Sequence, residues 1–314
     1  MNWQKKGLIY GPDGSMPFSQ THAQAPFAYP MADRVRVYFA TRNPNKASSA
    51  CFVDLNPDNL TEVIHVPAQP SLTPGALGMF DESGAMPSWV MPVQAADGTE
   101  EIWMYYTGWN QSETASYRLS IGLAASRDGG VTFERKFIGP LLDRSIYDPV
   151  WAGQPCILRE GSLWRMWYLS CTDMKLLHGR PEPYYEVKYA ESADGINWNR
   201  SGHSCVTFDS FTDAIGRPAV YKDGDLYKMY YSYRNADGYR TDRNASYRLG
   251  YAESTDGLAW QRKDDQVGIA RSDDGWDSVM MQYCHVFWHH NQWNMVYNGN
   301  NFGEKGFGLA TLPA

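Results

Sequence analysis

The stretch Lys228-Met229-Tyr230-Tyr231 has four counterparts along the chain: Arg36-Val37-Tyr38-Phe39, Trp103-Met104-Tyr105-Tyr106, Arg165-Met166-Trp167-Tyr168 and Asn294-Met295-Val296-Tyr297. Counted from Val37 to Met104, Met166, Met229 and Met295, the steps are 67, 62, 63 and 66 residues. Near-equal steps mark an internal repeat, and a repeat of this length decides the architecture before any local structure is assigned. A second motif keeps pace with the first, as Ser126-Arg127-Asp128-Gly129, Ser192-Ala193-Asp194-Gly195 and Ser254-Thr255-Asp256-Gly257, with Trp198 and Trp260 closing the last two. Serine, an aspartate that caps its own backbone and a glycine free to take positive φ are the residues of a tight hairpin turn. Each repeat therefore reads as an inner strand, a turn, the aromatic strand, a variable loop, a third strand, the Ser-x-Asp-Gly turn and a last strand.

Four antiparallel strands repeated radially make a β-propeller, whose blades pack through alternating apolar faces. The sequence thus predicts an all-β, five-bladed β-propeller with four antiparallel strands in each blade and a single domain over 1–314. Length alone, at roughly 150 residues per domain, would favour two domains, and the repeat overrides it. The fifth repeat ends on its third strand, Gly306-Phe307-Gly308-Leu309-Ala310. The segment Lys6-Gly7-Leu8-Ile9-Tyr10, which precedes the first inner strand, is expected to supply the missing one and close the ring.

Composition fits this architecture. The chain is 43% hydrophobic and 20% charged, enough for a large core, and its 12 Trp and 21 Tyr favour pleated strands and pockets that stack on ring-shaped ligands. A net charge of −7 and a pI near 5.5 give no general attraction for phosphate backbones, which argues against nucleic-acid partners. Cys51, Cys156, Cys171, Cys205 and Cys284 are scattered, with no CxxC spacing, so neither a disulfide framework nor a zinc site is signalled. A reduced, cytoplasmic location is expected. The N-terminus carries no apolar leader, and no run of 18 apolar residues occurs, so no membrane partner is expected. No cofactor motif is present.

In a propeller, the loops entering the inner strands and those joining second to third strands open on one face, around the axis. Asp81, Asp148 and Asp277 stand at equivalent entries, each directly after an aromatic residue (Phe80, Tyr147, Trp276), and Asp213 occupies the entry of the remaining repeat. Asp148 is the strongest acid candidate, because Pro149 fixes the backbone beside it. With Glu186, at the start of a third strand, Asp81, Asp148 and Asp213 are the candidate catalytic groups. Glycosidic cleavage needs two carboxyls, one protonated to release the leaving oxygen and one ionised to activate water or attack carbon. The competing reading is that aromatic-Asp caps the inner strand. The first blades offer His22, Gln24, Arg42 and Trp109 as ligand contacts, and the third offers Trp151, Gln154, Arg180 and Tyr184. Arg217, Arg234 and Tyr239 follow in the fourth, with Asp277 and Gln282 in the fifth. The planar forks of loop arginines match phosphate or carboxylate, so an anionic sugar or sugar phosphate is a fitting partner. His22, His178 and His285 lie in different repeats without ligand spacing, and no metal site is expected.

The repeat, the Ser-x-Asp-Gly-x-x-Trp turns (Ser192 to Trp198, Ser254 to Trp260), the Asp148-Pro149 step and the Gly216-Arg217-Pro218 entry resemble the five-bladed propeller glycosidases. That superfamily takes in glycoside hydrolase families 43, 32, 68 and 130, the last containing mannoside phosphorylases. The resemblance implies a carbohydrate-active enzyme, hydrolase-like or phosphorylase-like, with Asp148 as its Asp-Pro acid. Three departures stand out: the first repeat enters through Thr21-His22-Ala23-Gln24-Ala25-Pro26 without a carboxylate, no Asn-Asp-Pro-Asn motif occurs, and no Glu-Gly-Pro or Glu-Cys motif supplies a general acid. Glu186 or Asp213 would have to substitute. The alternative is a sugar-binding propeller that has lost the family acids.

Overall fold

The computed structural model describes residues 1–95, 98–209 and 212–313. Strands β2 (Thr21–Pro30), β3 (Val35–Arg42), β4 (Ser48–Asn56) and β5 (Asn59–His65) pair antiparallel in chain order. The same up-and-down order recurs in β6 (Gly84–Gln94), β7 (Glu100–Ser112), β8 (Ser116–Ser126) and β9 (Glu134–Arg135). It recurs again in β10 (Trp151–Glu160), β11 (Leu163–Leu177), β12 (Arg180–Ser192) and β13 (Asn199–Val206), and in β14 (Ala214–Asp223), β15 (Leu226–Arg234), β16 (Arg248–Ser254) and β17 (Gln261–Arg262). The last sheet has the order β1 (Gln4–Tyr10), β20 (Phe307–Leu312), β19 (Gln292–Asn298), β18 (Gln282–His289). Among the described residues no sheet closes on itself. Ladder contacts between neighbouring groups are single parallel pairs, Ser48 with Gly84 and Tyr185 with Ala214.

Register places β1 where β9, β13 and β17 stand in their own sheets. Arg135 faces Ala124, Arg200 faces Ala190, Arg262 faces Ala252, and Lys5 faces Ala310. A basic residue thus recurs at one position of the outermost strand.

The recurrent sequence motifs tie neighbouring groups together. In each Ser-x-Asp-Gly turn the serine hydroxyl bonds the aspartate, whose Oδ1 accepts two following backbone N–H groups: Ile196 and Asn197 on Asp194 at 2.8 Å, Leu258 and Ala259 on Asp256 at 2.8 and 2.9 Å. A buried glycine carbonyl at the turn then accepts from the aromatic strand of the preceding repeat. Tyr38 donates to Gly130 at 2.7 Å, Tyr105 to Gly195 at 2.8 Å and the Trp167 indole to Gly257 at 2.8 Å. The buried turn carbonyl and the buried phenol or indole satisfy each other, as a dry inter-sheet seam requires.

Along the inner strands a β-bulge recurs near the middle. Ala25, Gln154, Arg217 and Tyr283 sit there in the left-handed region, with φ of 55°, 49°, 54° and 53°. Three of these residues are held through their own N–H by a side chain of the neighbouring aromatic strand: Ala25 by Asn298 at 2.7 Å, Gln154 by Thr107 and Tyr283 by Ser232, both at 2.8 Å. Left-handed non-glycine backbone is costly and persists where the surroundings fix it, commonly at binding sites. Of the four, Gln154 and Tyr283 line one cavity.

Candidate functional site

Asp81, Asp148 and Asp277 are buried and hydrogen-bonded, with Asp81 Oδ1 left without a partner, and Asp213 is half-buried. Asp148 has no exposed surface and accepts from Tyr168 (3.0 Å), Ser170 (2.6 Å), Ser145 (2.8 Å) and the Arg200 guanidinium (2.8 Å). Asp81 accepts from Tyr106 (2.9 Å) and Arg135 (2.7 Å), and Asp277 from Tyr297 (3.2 Å) and Lys5 (2.7 Å). The hydroxyl always comes from the last residue of the aromatic motif, and the cation from the outermost strand. In the fourth repeat the same tyrosine, Tyr231, bonds Asp264 instead, which also takes Arg262 at 2.6 Å. Asp213, freed from that role, accepts the Ala236 N–H at 2.7 Å. The first repeat has Phe39 at the tyrosine position and no entry carboxylate. Acid and hydroxyl are absent together, as expected of two halves of one structural staple.

This cavity, of about 330 Å³, is lined in part by the bulge residues Gln154 and Tyr283. Its walls are aromatic, formed by Trp109, Tyr117, Trp151, Tyr185, Tyr239 and Tyr247, with Tyr283 and Phe302 beside them. Gln24, Gln154, Ser48 and Ser232 add neutral polar groups, and Arg42, Lys46 and Arg240 add positive charge. Among the described residues no Asp or Glu lines it. Arg42 donates to Gln24 at 3.0 Å, and burial holds its guanidinium below the ordinary value. Among the described residues neither Arg42 nor Lys46 has a carboxylate partner, whereas Arg240 is paired with Glu182, whose other oxygen is buried without a partner. The indole N–H groups of Trp109 and Trp151 are likewise buried and unpartnered.

The structure therefore brings Gln24, Arg42, Trp109, Trp151, Gln154 and Tyr239 together in one lining. Asp81, Asp148, Asp213, Asp277 and Glu186 lie outside it; Glu186 accepts from Ser204 at 2.8 Å. Arg180 is exposed at the tip of the hairpin joining β11 and β12. Tyr184 points to the other face of β12, under the Lys175 ammonium at 4.2 Å, and its neighbour Tyr185 takes the place in the cavity. Arg217 is buried and donates to the carbonyls of Ser88 (3.0 Å), Ala25 and Pro26 (3.4 Å each), so it clamps three strand segments together. Burial pushes it down to about 10. Gln282 donates to the Gly299 carbonyl at 3.2 Å. Tyr117, Tyr185 and Tyr247 are cavity residues that the motif reading does not reach, although a signal exists: Ala115-Ser116-Tyr117-Arg118-Leu119 recurs as Ala245-Ser246-Tyr247-Arg248-Leu249. Among the described residues no cluster of three His, Cys, Asp or Glu side chains could hold a metal ion, and no helix is long and apolar enough to cross a membrane.

Two buried histidines make acid stability a test of this packing. His22, 8% exposed, donates or accepts with Thr21 at 2.8 Å, and desolvation pushes it down to about 3. His285 accepts the Ala28 N–H at 3.2 Å, packs against Phe27 with ring centres 4.0 Å apart, and is pushed well below its usual value by burial and by Arg217. Both bases are depressed, so below pH 6.5 the unfolded chain binds protons that the folded chain refuses, and stability falls with pH. At pH 5 His22 should cost about 2 kcal/mol relative to pH 7, and His285 should add a loss of the same sign. Urea unfolding at the two pH values, repeated on the His22→Gln/His285→Gln protein, checks this; an equal loss in that variant would remove the histidines as its cause.

No protein-family model matches the chain. Solved structures share the fold end to end. A glycosyl hydrolase from Bacteroides ovatus superposes with a TM-score of 0.73 at 14% identity, covering 100% of this chain and 95% of that one. A structure described as "Glycoside hydrolase" gives 0.73 at 18%, covering 99% and 92%. A third, described under "The GH130 family of mannoside phosphorylases contains glycoside hydrolases that target beta-1,2 mannosidic linkages in Candida mannan", gives 0.71 at 14%, covering 100% and 95%. At such identities the likeness is one of fold, and the fold is that of the glycoside-hydrolase-like propellers. In sequence, "Uncharacterized protein Rv1502" and "Uncharacterized protein MT1551", from two strains of Mycobacterium tuberculosis, are each 35% identical over 316 residues, which is 99% of both chains compared. The chain belongs to the family of these two mycobacterial proteins.

Proposed function

We propose that the chain is a single five-bladed propeller, closed by β1, that binds an anionic carbohydrate in its axial cavity. A sugar phosphate or an acidic sugar conjugate is the ligand class. The observation that carries this reading is the lining itself: aromatic walls that stack on a sugar ring, Arg42, Lys46 and Arg240, and, among the described residues, no carboxylate to repel an anion. Asp81, Asp148, Asp213 and Glu186 each accept hydrogen bonds and lie outside the cavity lining, which favours binding over the two-carboxylate chemistry of the family type. One observation favours glycosyl cleavage or transfer all the same, namely Glu182, which pairs with the cavity residue Arg240 and keeps one oxygen unpartnered. The five cysteines are buried and unpaired, which fits a reducing, cytoplasmic compartment.

Thermal unfolding with glucose 1-phosphate, glucuronate and glucose tests the proposal. The two anions should raise the melting temperature and glucose should not. Arg42→Ala should weaken anion binding about 10-fold or more, the effect of losing one hydrogen bond to a charged group. Equal protection by glucose and by its phosphate would overturn the anionic reading. Turnover of aryl glycosides with and without phosphate, compared with Glu182→Gln, tests the second reading.

A further inference from the structure

Beneath the aromatic wall lies a charge without a counter-charge. Arg234, at the end of β15, is 1% exposed. Its guanidinium donates to the Pro183 carbonyl (3.2 Å), the Asn235 carbonyl (3.0 Å) and the Tyr247 hydroxyl (3.3 Å). Among the described residues it has no carboxylate within ion-pair distance. Around it stand phenol rings: its guanidinium carbon is 3.9 Å from the centre of Tyr239, 5.3 Å from Tyr185 and 5.7 Å from Tyr247. Such faces stabilise a cation, but they do not neutralise it, and a desolvated charge left unpaired is costly.

Tyr185, Tyr239 and Tyr247, which surround this cation, also line the cavity. Tyr185 and Tyr247 share a short hydrogen bond, and Tyr247 also receives the Arg234 Nε–H. Burial holds Tyr185, Tyr239 and Tyr283 above their ordinary values, so they stay protonated at neutral pH and serve as donors. A neutral phenol cannot balance Arg234. The cavity lined by these phenols offers the missing negative charge an approach.

We infer that the cavity floor formed by Tyr185 and Tyr247, backed by Arg234, is a subsite for the ionised group of the ligand, a phosphate or carboxylate. This rests on the anionic-carbohydrate reading and deepens it by fixing orientation: the oxyanion goes inward onto the phenols, and the sugar ring lies outward against Trp109 and Trp151. Arg234 acts through Tyr247 and its field, as a positioning residue. Arg42 and Lys46 then serve the outer part of the ligand.

Calorimetric titration with inorganic phosphate, glucose 1-phosphate, glucuronate and glucose tests the floor. Tyr247→Phe and Tyr185→Phe keep the rings and remove single hydroxyls, and each should weaken phosphate and glucose 1-phosphate binding about 10-fold or more. Arg234→Met should abolish anion binding while leaving the unliganded protein as stable or more so, because it removes an unpaired buried charge. If that variant does not fold, the two phenylalanine variants decide. Unchanged anion affinity in both, with loss in Arg42→Ala, overturns the floor and leaves an anion site at the rim. Binding of glucose equal to that of its phosphate, or no binding of any anion, overturns the anionic reading and the floor together. Phosphate alone binding as tightly as its sugar ester assigns the floor to phosphate; glucuronate binding alone assigns it to carboxylate.

Discussion

Deleting residues 1–10 is expected to abolish cooperative folding of the whole chain, although the segment is only a terminal strand. Trp3 is 5% exposed, packs in a core cluster with Tyr230, Tyr251 and Met281, and donates its indole N–H to Tyr230 at 2.8 Å. Removing such a side chain costs about 3–5 kcal/mol. Lys5 leaves with it, stranding the 2% exposed Asp277 carboxylate without its 2.7 Å partner, and breaking a buried pair in this way costs about 3–5 kcal/mol more. The ladder between β1 and β20 is lost as well, which bares an apolar edge strand whose residues Phe307, Leu309 and Ala310 are buried. Since whole domains are stable by only about 5–15 kcal/mol, these losses suffice to unfold it. Circular dichroism and calorimetry on the truncated protein decide the matter. Retention of the full-length melting temperature would show that β1 is not the closing strand, and Trp3→Ala alone should already lower stability by about 3 kcal/mol.

The strand order was legible in the sequence because a repeat samples the same physics several times. The Met-aromatic stretches mark β3, β7, β11, β15 and β19, and the Ser-x-Asp-Gly turns lie after β8, β12 and β16. The pairing of the N-terminal strand with the last repeat could be read from a strand missing at one end and spare at the other. The site was less legible, for two reasons. The cations that engage Asp81 and Asp148 come from 54 and 52 residues downstream, and Lys5 lies 272 residues from Asp277, so nothing local shows that the acids are occupied. The second reason is the pleat. Tyr184 and Tyr185 are adjacent in β12 and equally plausible as contacts, yet successive side chains face opposite ways, and a one-residue choice exchanges cavity for outer surface. Aligning Tyr185 with Tyr247, each seven residues before the serine of its Ser-x-Asp-Gly turn, resolves that choice, because both line the cavity.

Replacing Asp148 by Asn separates the two roles that its position allows. As a reacting carboxylate at the mouth of the propeller, it would tolerate the substitution structurally and lose function. As the centre of a staple it should do the reverse. Its two oxygens accept from two tyrosine or serine hydroxyls of β11, from Ser145 and from Arg200, with no surface left for solvent. An amide has the same shape but only one accepting oxygen, so its NH₂ meets donors, and Arg200 loses its counter-charge. The expected loss of stability is about 3–5 kcal/mol, read from the urea midpoint at constant m-value. Ligand affinity per folded molecule should stay unchanged. Arg200→Met in the Asp148→Asn background should cost less than the sum of the single changes, since the second substitution removes a charge already left unpaired. A stable Asp148→Asn protein with full thermal stability and no response to the anionic sugars would place the carboxylate at the ligand. In that case the equivalence of Asp81, Asp148 and Asp277 would have to be abandoned, because Tyr106, Tyr168 and Tyr297 hold all three in the same way.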